Sequence, residues 1–419
     1  MGGRPVFSIC LFDLDGTLVR TDDLKQVREA CKNNADPQNI AAVRQLLASR
    51  PDRRIYAQEL LNTIRRRFPE MKIGVFTRSP RSYVHIVLSS MYPNFAWDIV
   101  VAYEDVQHRK PHGEGIDLVM RNFGVTDAKQ VVMVGDTDVD VRAAYHRGCL
   151  AVLDKSDWSG FKKGPEQWAA LALVADAEIN SPTELLNVLG AANSYLPALE
   201  RLMIEPLSLA TLRFDKINHF LPNDFGWDQK PFQISVCGRS FTHVPSLECR
   251  RCEHFLTESI IANKDSELFP DTWIEAVRRF VSTANGAFWG ERSVIVTTVP
   301  HRPERPARLE SFLHQFGASV MARPISNLNV IIAPELLGFL DGVKSQHNDS
   351  LNREQRFENM RDHLRVRQPE LLQSGASVVV LDDVVTTGAS LIFSSIRLRE
   401  AGAKDVQLLA IAKSIGNVL

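Results

Sequence analysis

The sequence lacks the features that mark several broad classes of protein. Its six cysteines are scattered, which is typical of a reducing compartment and not of a disulfide scaffold. It contains no run of about 18 apolar residues, so we expect no transmembrane helix. Met1–Arg4 leads directly into a strand-like run, without the apolar stretch and cleavage site of a signal peptide. The formal net charge of −1 gives no overall attraction to nucleic acid or anionic membranes.

These absences predict a cytoplasmic protein with neither a membrane nor a nucleic-acid partner. The composition is that of an ordinary globular protein, with 44% hydrophobic and 24% charged residues. At about 150 residues per domain, a chain of 419 residues predicts two or three domains. The chain contains no internal repeat and no low-complexity tract, which excludes repeat architectures.

In the first part of the chain, short apolar runs alternate with helix-period segments, which predicts a parallel sheet covered on both faces. Helical periodicity is clear at Ile116–Phe123 and Val139–Arg147. The polar, helical stretch Thr21–Phe68 interrupts the alternation, and we interpret it as a small cap at about residues 20–70. Its run of arginines at 65–67 fits a solvated helix face. The candidate strands are Val6–Phe12, Ile73–Phe76, Ile99–Ala102, Val131–Val134 and Leu150–Leu153.

A second alternating system occupies the C-terminal part, with a helix expected at Ser390–Glu400 that stops near Gly402. Between the two systems, Pro182 to about Leu221 is expected to be helical and Pro222–Pro231 to be a loop. We therefore predict an α/β protein with two Rossmann-like, doubly wound parallel-sheet domains, at 1–190 and 291–419. Residues 191–290 are expected to form a helical and loop connector. The C-terminal candidate strands are Val294–Val299, Val330–Ala333, Val378–Leu381 and Val406–Ala412.

Two carboxylates close the first candidate strand, in the string FDLDGT at residues 12–17. Strand alternation places Asp13 and Asp15 on one side, where they would repel each other unless a cation lies between them. Three companions follow in order along the chain. Thr77 ends the next strand, Lys110 precedes a proline, and the acidic loop GDTDVD at residues 135–140 follows another strand.

This ordered set resembles the haloacid dehalogenase superfamily over roughly residues 5–190, with all four of its motifs filled. The resemblance implies that Asp13 is a nucleophile that forms an aspartyl-phosphate and that Asp15 is a general acid and base. It further implies that Thr77 hydrogen-bonds the transferring phosphoryl group, while Lys110 offsets negative charge. A small cap implies an open site that tolerates larger or tethered phosphate substrates.

The same resemblance implies a Mg²⁺ site, because this hard cation prefers oxygen ligands. Its ligands would be the carboxylates of Asp13, Asp136 and Asp140, with the backbone carbonyl of Asp15. We assign the additional carboxylate of Asp138 to a supporting or surface role. An inactive phosphatase retained as a scaffold is the alternative that the residues leave open.

The second candidate site is the string VVVLDDVVTTGAS at residues 378–390. A buried strand leads into Asp382 and Asp383, and then into a turn rich in hydroxyls and glycine at the start of a helix. Backbone N–H groups and hydroxyls at such a turn hold anions, helped by the helix dipole. Since carboxylates accept hydrogen bonds from ribose hydroxyls, the string fits a ribose 5-phosphate.

The string resembles the phosphoribosyl pyrophosphate motif of type I phosphoribosyltransferases. The string VIVTTVPHR at residues 294–302 resembles the strand and pyrophosphate loop of the same fold. Lys344–Gln346, Leu351 and residues 356–359 resemble the mobile-loop segment of the ComF-type competence proteins. The resemblance implies binding of the ribose phosphate by Asp382, Asp383, Thr386, Thr387, Gly388, Ala389 and Ser390, with Arg302 and Lys344 as candidates for pyrophosphate.

This part of the chain departs from the family in one respect, because no segment is recognisable as a nucleobase hood. A domain that only binds phosphoribosyl pyrophosphate or a nucleotide, as a sensor, would keep the same loop. Lys344, Arg353 and Arg356 fit a solvated helix face equally well.

Four residues form a possible structural zinc site: Cys237, His243, Cys249 and Cys252. The last two have the C-x-x-C spacing that is typical of zinc sites, and His254 follows closely. The alternative is a surface loop with reduced thiols. Zinc is thus a possible second metal beside Mg²⁺.

Together the two resemblances imply a bifunctional enzyme of nucleotide or nucleoside metabolism. Its expected ligands are a phosphorylated small molecule or nucleotide and phosphoribosyl pyrophosphate. The alternative is a regulatory or defence-type protein, in which the second domain senses a nucleotide and controls the phosphatase or a partner. Both families often form dimers, so a homodimer is a further expectation.

Overall fold

A computed structural model describes residues 7–33, 36–158, 164–207, 210–225, 230–286, 292–302, 305–344, 351–372 and 375–419. The chain divides into two compact units. Unit 1 consists of Met1–Leu196, Thr242–Glu253 and Gly416–Leu419, and unit 2 of Pro197–Phe241 and His254–Ile415. None of the helices in the described part of the chain is both long enough and apolar enough to cross a membrane.

Unit 1 is built on a six-stranded sheet with the order β3-β2-β1-β4-β5-β6, in which every pairing is parallel. Both faces of its central strands are buried, which explains their continuous apolar runs. The sequence predicted five of these strands, and only the short β6 was missed. The strands are β1 (Ile9–Phe12), β2 (Lys72–Phe76), β3 (Ile99–Val101), β4 (Val131–Gly135), β5 (Leu150–Asp154) and β6 (Ala177–Ile179).

Three helices lie between β1 and β2, where the inserted cap was expected: Lys25–Asn33, Pro37–Ala48 and Gln58–Arg67. The second of them begins with a proline at its first position, after Asp36, whose side chain accepts a hydrogen bond from a backbone N–H of the first turn. The other helices of unit 1 are Arg81–Met91, Glu114–Phe123, Asp138–Arg147, Pro165–Ala172, Leu185–Gly190 and Glu248–Arg251.

Unit 2 contains a seven-stranded sheet with the order β11-β10-β14-β15-β8-β7, and β9 pairs with β15 off this path. The pairing of β7 with β8 is antiparallel and the others are parallel, so the sheet is mixed. Two further strands, β12 and β13, form a separate antiparallel pair. The strands are β7 (Asp215–His219), β8 (Phe232–Val236), β9 (Arg239–Phe241), β10 (Arg292–Thr298), β11 (Leu328–Ile332), β12 (Leu337–Phe339), β13 (Leu364–Val366), β14 (Ser377–Val385) and β15 (Asp405–Ile415).

The helices of unit 2 are Ala198–Ile204, Phe255–Ala262, Asp271–Asn285, Arg308–Ala322, Arg353–His363 and Ala389–Glu400. The α/β class is confirmed, and the predicted strands of residues 291–419 pair in parallel, while the antiparallel strand β7 makes the sheet as a whole mixed. Residues 191–290 are also more than a helical and loop connector, because they supply β7, β8 and β9. The missed signal is the alternation of β8, in which the apolar Phe232, Ile234 and Val236 are separated by the polar Gln233 and Ser235.

Candidate active site

The strand order of unit 1 brings its two acidic loops together. From the neighbouring strands β1 and β4, successive strands are added in opposite directions across the sheet. Ligands of such sheets bind at this point, beyond the carboxyl ends of the strands. Asp13 follows β1, and its backbone N–H donates to the carbonyl of Val134 at the end of β4 (2.8 Å). Carboxylate oxygens of Asp13, Asp136 and Asp140 all lie within 4.8 Å of one another.

Two glycines permit this close approach. Gly16 has φ +82°, and a Cβ there would lie 2.6 Å from Oδ2 of Asp136. A Cβ at Gly135 would lie 2.2 Å from Cγ of Asp140. The hydroxyl of Thr17 then donates to Oδ1 of Asp136 (2.7 Å). The glycine of the D-x-D-G string therefore leaves room for a carboxylate from a different strand, besides permitting the turn.

Lys110 supplies the positive charge of this group and is almost fully buried. Its Nζ donates to Oδ1 of Asp13 and to Oδ1 of Asp140, the latter at 2.6 Å. The other oxygen of Asp140 accepts from the hydroxyl (2.7 Å) and the backbone N–H (3.2 Å) of Thr137. Lys110 thus links the nucleophile candidate of β1 to the acidic loop after β4.

The environment disfavours the ionised form of Asp13 and Asp136 despite the ammonium group of Lys110. Burial raises the pKa of Asp13 to about 7, with Lys110 opposing the rise and the neighbouring carboxylates adding to it. Burial, followed by Asp140 and Asp13, raises the pKa of Asp136 well above its ordinary value. A bound cation would relieve this repulsion, and three carboxylates with close oxygens fit the hard ion Mg²⁺.

The carboxylate of Asp15 is not one of the three grouped carboxylates, and it makes four polar contacts of its own. Thr21 donates to Oδ1 (2.7 Å), Tyr83 to Oδ1 (2.9 Å) and Ser79 to Oδ2 (2.5 Å). Arg28, on the first cap helix, pairs with Oδ2 at 3.3 Å. The contacts with Ser79 and Tyr83 could not be predicted from local patterns, because these residues lie 64 and 68 positions away along the chain.

The two remaining predicted residues of unit 1 lie beside the carboxylates. Thr77 is buried directly after β2, where its backbone N–H donates to the carbonyl of Val101 (3.0 Å) and its hydroxyl accepts from Ser79 N–H (3.2 Å). Asp138 does not belong to the metal-binding group and instead pairs with Arg142 at 3.4 Å. Its assignment to a supporting role fits this position, while the roles of Thr77 and of the Asp15 carbonyl remain predictions.

In unit 2, the sheet order reverses between β10 and β14, and a cavity of about 660 Å³ lies at the loops that follow them. Asp382 and Asp383 line it, together with Arg302 and Ser390. The two aspartates belong to β14 itself, which runs on to Val385, although the strand was expected to end before them. Cationic residues that the sequence did not single out also line the cavity: Lys264, Arg305 and Arg308.

Charge is distributed unevenly in this cavity. Arg308 pairs with Oδ2 of Asp383 at 2.6 Å, whereas burial and the adjacent Asp383 raise the pKa of Asp382 well above its ordinary value. Arg302 donates to the backbone carbonyl of Lys344 (2.5 Å), so the two pyrophosphate candidates lie side by side. The predicted contribution of Ser345 and Gln346 lies outside the described residues.

The predicted phosphate loop precedes the helix Ala389–Glu400, and Thr386 and Thr387 lie in the turn before it. Gly388 caps the helix with φ +79°, and a Cβ there would lie 2.9 Å from the ring of His219. Lys413 donates to the carbonyl of Thr386 (3.0 Å), and burial lowers the pKa of this lysine to about 8. The turn therefore requires glycine at position 388, and Lys413 lies beside it.

The predicted zinc ligands do not converge. Cys237 is buried in the apolar core of unit 2, while Cys249 and Cys252 are exposed and belong to unit 1. His243 also belongs to unit 1 and is largely exposed. Among the described residues, neither group of three or more potential metal ligands contains a cysteine. The expectation of zinc at these four positions is therefore not supported, since the C-x-x-C spacing alone does not bring the other ligands near.

The parallel sheet and its group of carboxylates with one lysine place unit 1 in the class of doubly wound α/β enzymes with a candidate metal-binding site. The sequence profile of the haloacid dehalogenase-like hydrolases matches residues 53–153. This range contains Thr77, Lys110 and the acidic loop at 135–140, and Asp13 precedes it. The N-terminal region is therefore a domain of the haloacid dehalogenase superfamily.

The curated relatives carry the name phosphoglycolate phosphatase. The protein of Salmonella paratyphi A is 32% identical over 125 residues, which cover 30% of this chain and 46% of that protein. The protein of Photorhabdus laumondii is 27% identical over 146 residues, with 32% and 57% covered. The chain thus spans about half the length of the curated relatives it matches. A solved hydrolase of the superfamily from Geobacter sulfurreducens is 18% identical, with 44% of this chain and 98% of that chain covered and a TM-score of 0.31.

Proposed function

We propose that unit 1 is a Mg²⁺-dependent phosphomonoester hydrolase that forms an aspartyl-phosphate on Asp13. The observation that carries the proposal is the convergence of Asp13, Asp136 and Asp140 on a small volume, with Lys110 bonded to two of them. The match to the haloacid dehalogenase-like hydrolases and the names of the curated relatives support the same reaction class.

The residues divide the reaction between them. A carboxylate oxygen of Asp13 attacks phosphorus, and the bond from phosphorus to the leaving oxygen breaks. Lys110 stabilises the charge on the nucleophile and the phosphoryl oxygens, and Asp15 donates a proton to the leaving oxygen. Water then attacks phosphorus, and the bond from phosphorus to the Asp13 oxygen breaks, which releases phosphate. The attacking water gives a proton to Asp15, which restores both carboxyl groups. Mg²⁺, held by Asp13, Asp136 and Asp140, would neutralise charge on the phosphoryl group.

A small phosphorylated acid is the first substrate to test. The curated relatives are named for phosphoglycolate, whose leaving group carries a carboxylate. Arg28 lies beside Asp15 on the first cap helix, where it provides a guanidinium group near the proposed position of the leaving oxygen. A guanidinium group pairs well with a carboxylate, so this position suits an acidic leaving group.

Phosphate release from a broad panel of monoesters with Mg²⁺ tests the proposal. We expect Asp13→Asn to abolish turnover, since the amide is a poor nucleophile. Asp138→Asn is the matched control, because Asp138 lies in the same acidic region but pairs with Arg142 outside the metal-binding group. We expect this control to retain activity within a few-fold. Equal rates for the wild type and Asp13→Asn would refute the aspartyl-phosphate.

We infer a second function for unit 2, the binding of a phosphoribosyl compound. The supporting observation is the cavity that combines Asp382 and Asp383 with several cationic side chains. The aspartates are suited to accept hydrogen bonds from the ribose hydroxyls, and the turn at Thr386–Ser390 to hold the 5-phosphate. Arg302 and Lys344 remain the candidates for pyrophosphate. Transfer would then make the protein bifunctional, whereas binding alone would make unit 2 a sensor.

Calorimetry with phosphoribosyl pyrophosphate and with nucleoside monophosphates tests the binding. Absence of binding for all of them would refute the second function. Release of pyrophosphate that depends on an added nucleobase indicates a transferase. Phosphatase activity that changes with phosphoribosyl pyrophosphate, without such release, indicates the regulatory alternative. Sedimentation of the purified protein tests the expected homodimer.

A further inference from the structure

A second group of potential metal ligands lies outside the carboxylate and lysine group of unit 1. His108, His112 and Glu114 each offer a ligand atom, and these atoms lie within 4.8 Å of one another. Nδ1 of His108 is 2.9 Å from Oε2 of Glu114. The ring of His146 adds a third imidazole, with its centroid 4.3 Å from that of His112. Three imidazoles and a carboxylate therefore meet at one place on the surface of unit 1.

The local backbone fixes the carboxylate of this group. Glu114 is the first residue of the helix Glu114–Phe123, and its two oxygens accept from the backbone N–H groups of Gln107 (3.0 Å) and His108 (2.8 Å). The backbone thus holds the carboxylate oriented toward His108, as a metal site requires of its ligands.

Two of the imidazoles accept hydrogen bonds from nearby backbone N–H groups, which fixes the orientation of their rings. Nδ1 of His112 accepts from the N–H of Glu114 (3.0 Å), and Nδ1 of His146 accepts from the N–H of Gly113 (3.1 Å). A cation at this place would bind between His108 and Glu114 and would use a ring nitrogen of His112 as its third ligand.

We propose that His108, His112 and Glu114 bind a divalent transition-metal ion of the zinc class, separate from the Mg²⁺ site. Imidazole nitrogens with one carboxylate suit zinc, cobalt or nickel, whereas Mg²⁺ prefers oxygen ligands only. Two histidines and a carboxylate leave a coordination position open to water or to a fourth side chain, and His146 is the nearest further imidazole. The ion would tie together a segment that contains Lys110.

Titration of the full-length protein with Co²⁺ in saturating Mg²⁺ tests the proposal, with binding followed by the visible absorption of Co²⁺. The Mg²⁺ keeps the carboxylate group of the phosphatase site occupied. We expect one equivalent of Co²⁺ to bind and to be displaced by Zn²⁺. His108→Ala and Glu114→Gln should each weaken Co²⁺ binding by more than about tenfold. A loss of about tenfold is the least expected even for a residue that only supports a metal ligand. His85→Ala, which removes an exposed histidine from the helix Arg81–Met91, is the matched control and should bind normally.

Two further variants show where the ion binds. Asp136→Asn alters the phosphatase site, and the double variant Cys249→Ser, Cys252→Ser alters the exposed thiols. Both should retain the Co²⁺ spectrum, without a thiolate charge-transfer band. Loss of binding in either one would overturn the proposal, because the ion would then belong to the carboxylates or to the thiols. Failure to bind Co²⁺ at all, or unchanged binding in His108→Ala and Glu114→Gln, would overturn it as well.

Discussion

Replacement of Lys110 by methionine provides a direct test of the electrostatics in the phosphatase site. Methionine keeps the length and the apolar stem of the side chain but removes the ammonium group. The variant leaves the buried carboxylates of Asp13 and Asp140 without the ammonium group that donates to both. Removal of one partner from a buried ion pair typically costs about 3–5 kcal/mol, because the other charge stays buried and unpaired.

Hydrogen exchange of the full-length protein in the absence of divalent cations measures this loss locally. The amides of β1 and β4 report the free energy of opening for the sheet that carries the site. Lys129→Met is the matched control, since Lys129 pairs with Glu253 at 2.6 Å while both side chains are more than half exposed. An exposed pair is worth about 0–1 kcal/mol, so we expect the two substitutions to differ by several kcal/mol.

Added Mg²⁺ should recover part of the lost stability in Lys110→Met, because the ion places positive charge among the same carboxylates. With Mg²⁺ present, turnover of Lys110→Met should remain about 10²–10³-fold below that of the wild type. This is the typical loss when one stabilising donor is removed from an active site. Equal opening free energies for Lys110→Met and Lys129→Met would refute the reasoning. It would mean that water or local rearrangement already screens the buried carboxylates.

Two further predictions concern the phosphate loop of unit 2. Gly388→Ala should weaken ribose 5-phosphate binding and lower stability by more than the roughly 1–2 kcal/mol of left-handed strain, because its Cβ would also meet the ring of His219. Gly124→Ala, with φ +68° and no atom within 4 Å, carries the strain alone and is the control in denaturant unfolding. Burial lowers the pKa of Lys413 to about 8, so its ammonium beside Thr386 is lost as pH rises through that value. Calorimetry should therefore show weaker ribose 5-phosphate binding above pH 8 than below it, and Lys413→Met should flatten this dependence.

The sequence predicted those parts of the fold that depend on neighbouring residues. The continuous apolar runs of β1, β2, β4 and β5 identified buried parallel strands, because both faces of each strand are covered. The strands β7, β8 and β9 were not predicted, because they are short and lie within a stretch rich in turn residues. Antiparallel pairing of β7 with β8 depends on contacts that the local pattern does not contain.

The candidate sites show the same division. The proximity of Asp13 and Asp136 was predictable because each directly follows a strand, and neighbouring strands bring their ends together. Arg28 and Tyr83 were not, because they reach Asp15 from a cap helix and from the helix after β2. The expected zinc site is not supported, although the spacing of its cysteines along the chain suggested one. The chain buries one of these cysteines in an apolar core and leaves the two others exposed.

The surroundings of Asp15 affect how its variants should be interpreted. Its two oxygens receive contacts from Thr21 and Arg28 of the cap segment and from Ser79 and Tyr83 of the sheet domain. The carboxylate that is proposed to transfer the proton therefore also joins the cap segment to the rest of unit 1. Asp15→Asn would consequently weaken the contacts between the cap segment and the rest of unit 1 as well as the proposed proton transfer, so that unit 1 of this variant should lose stability together with turnover.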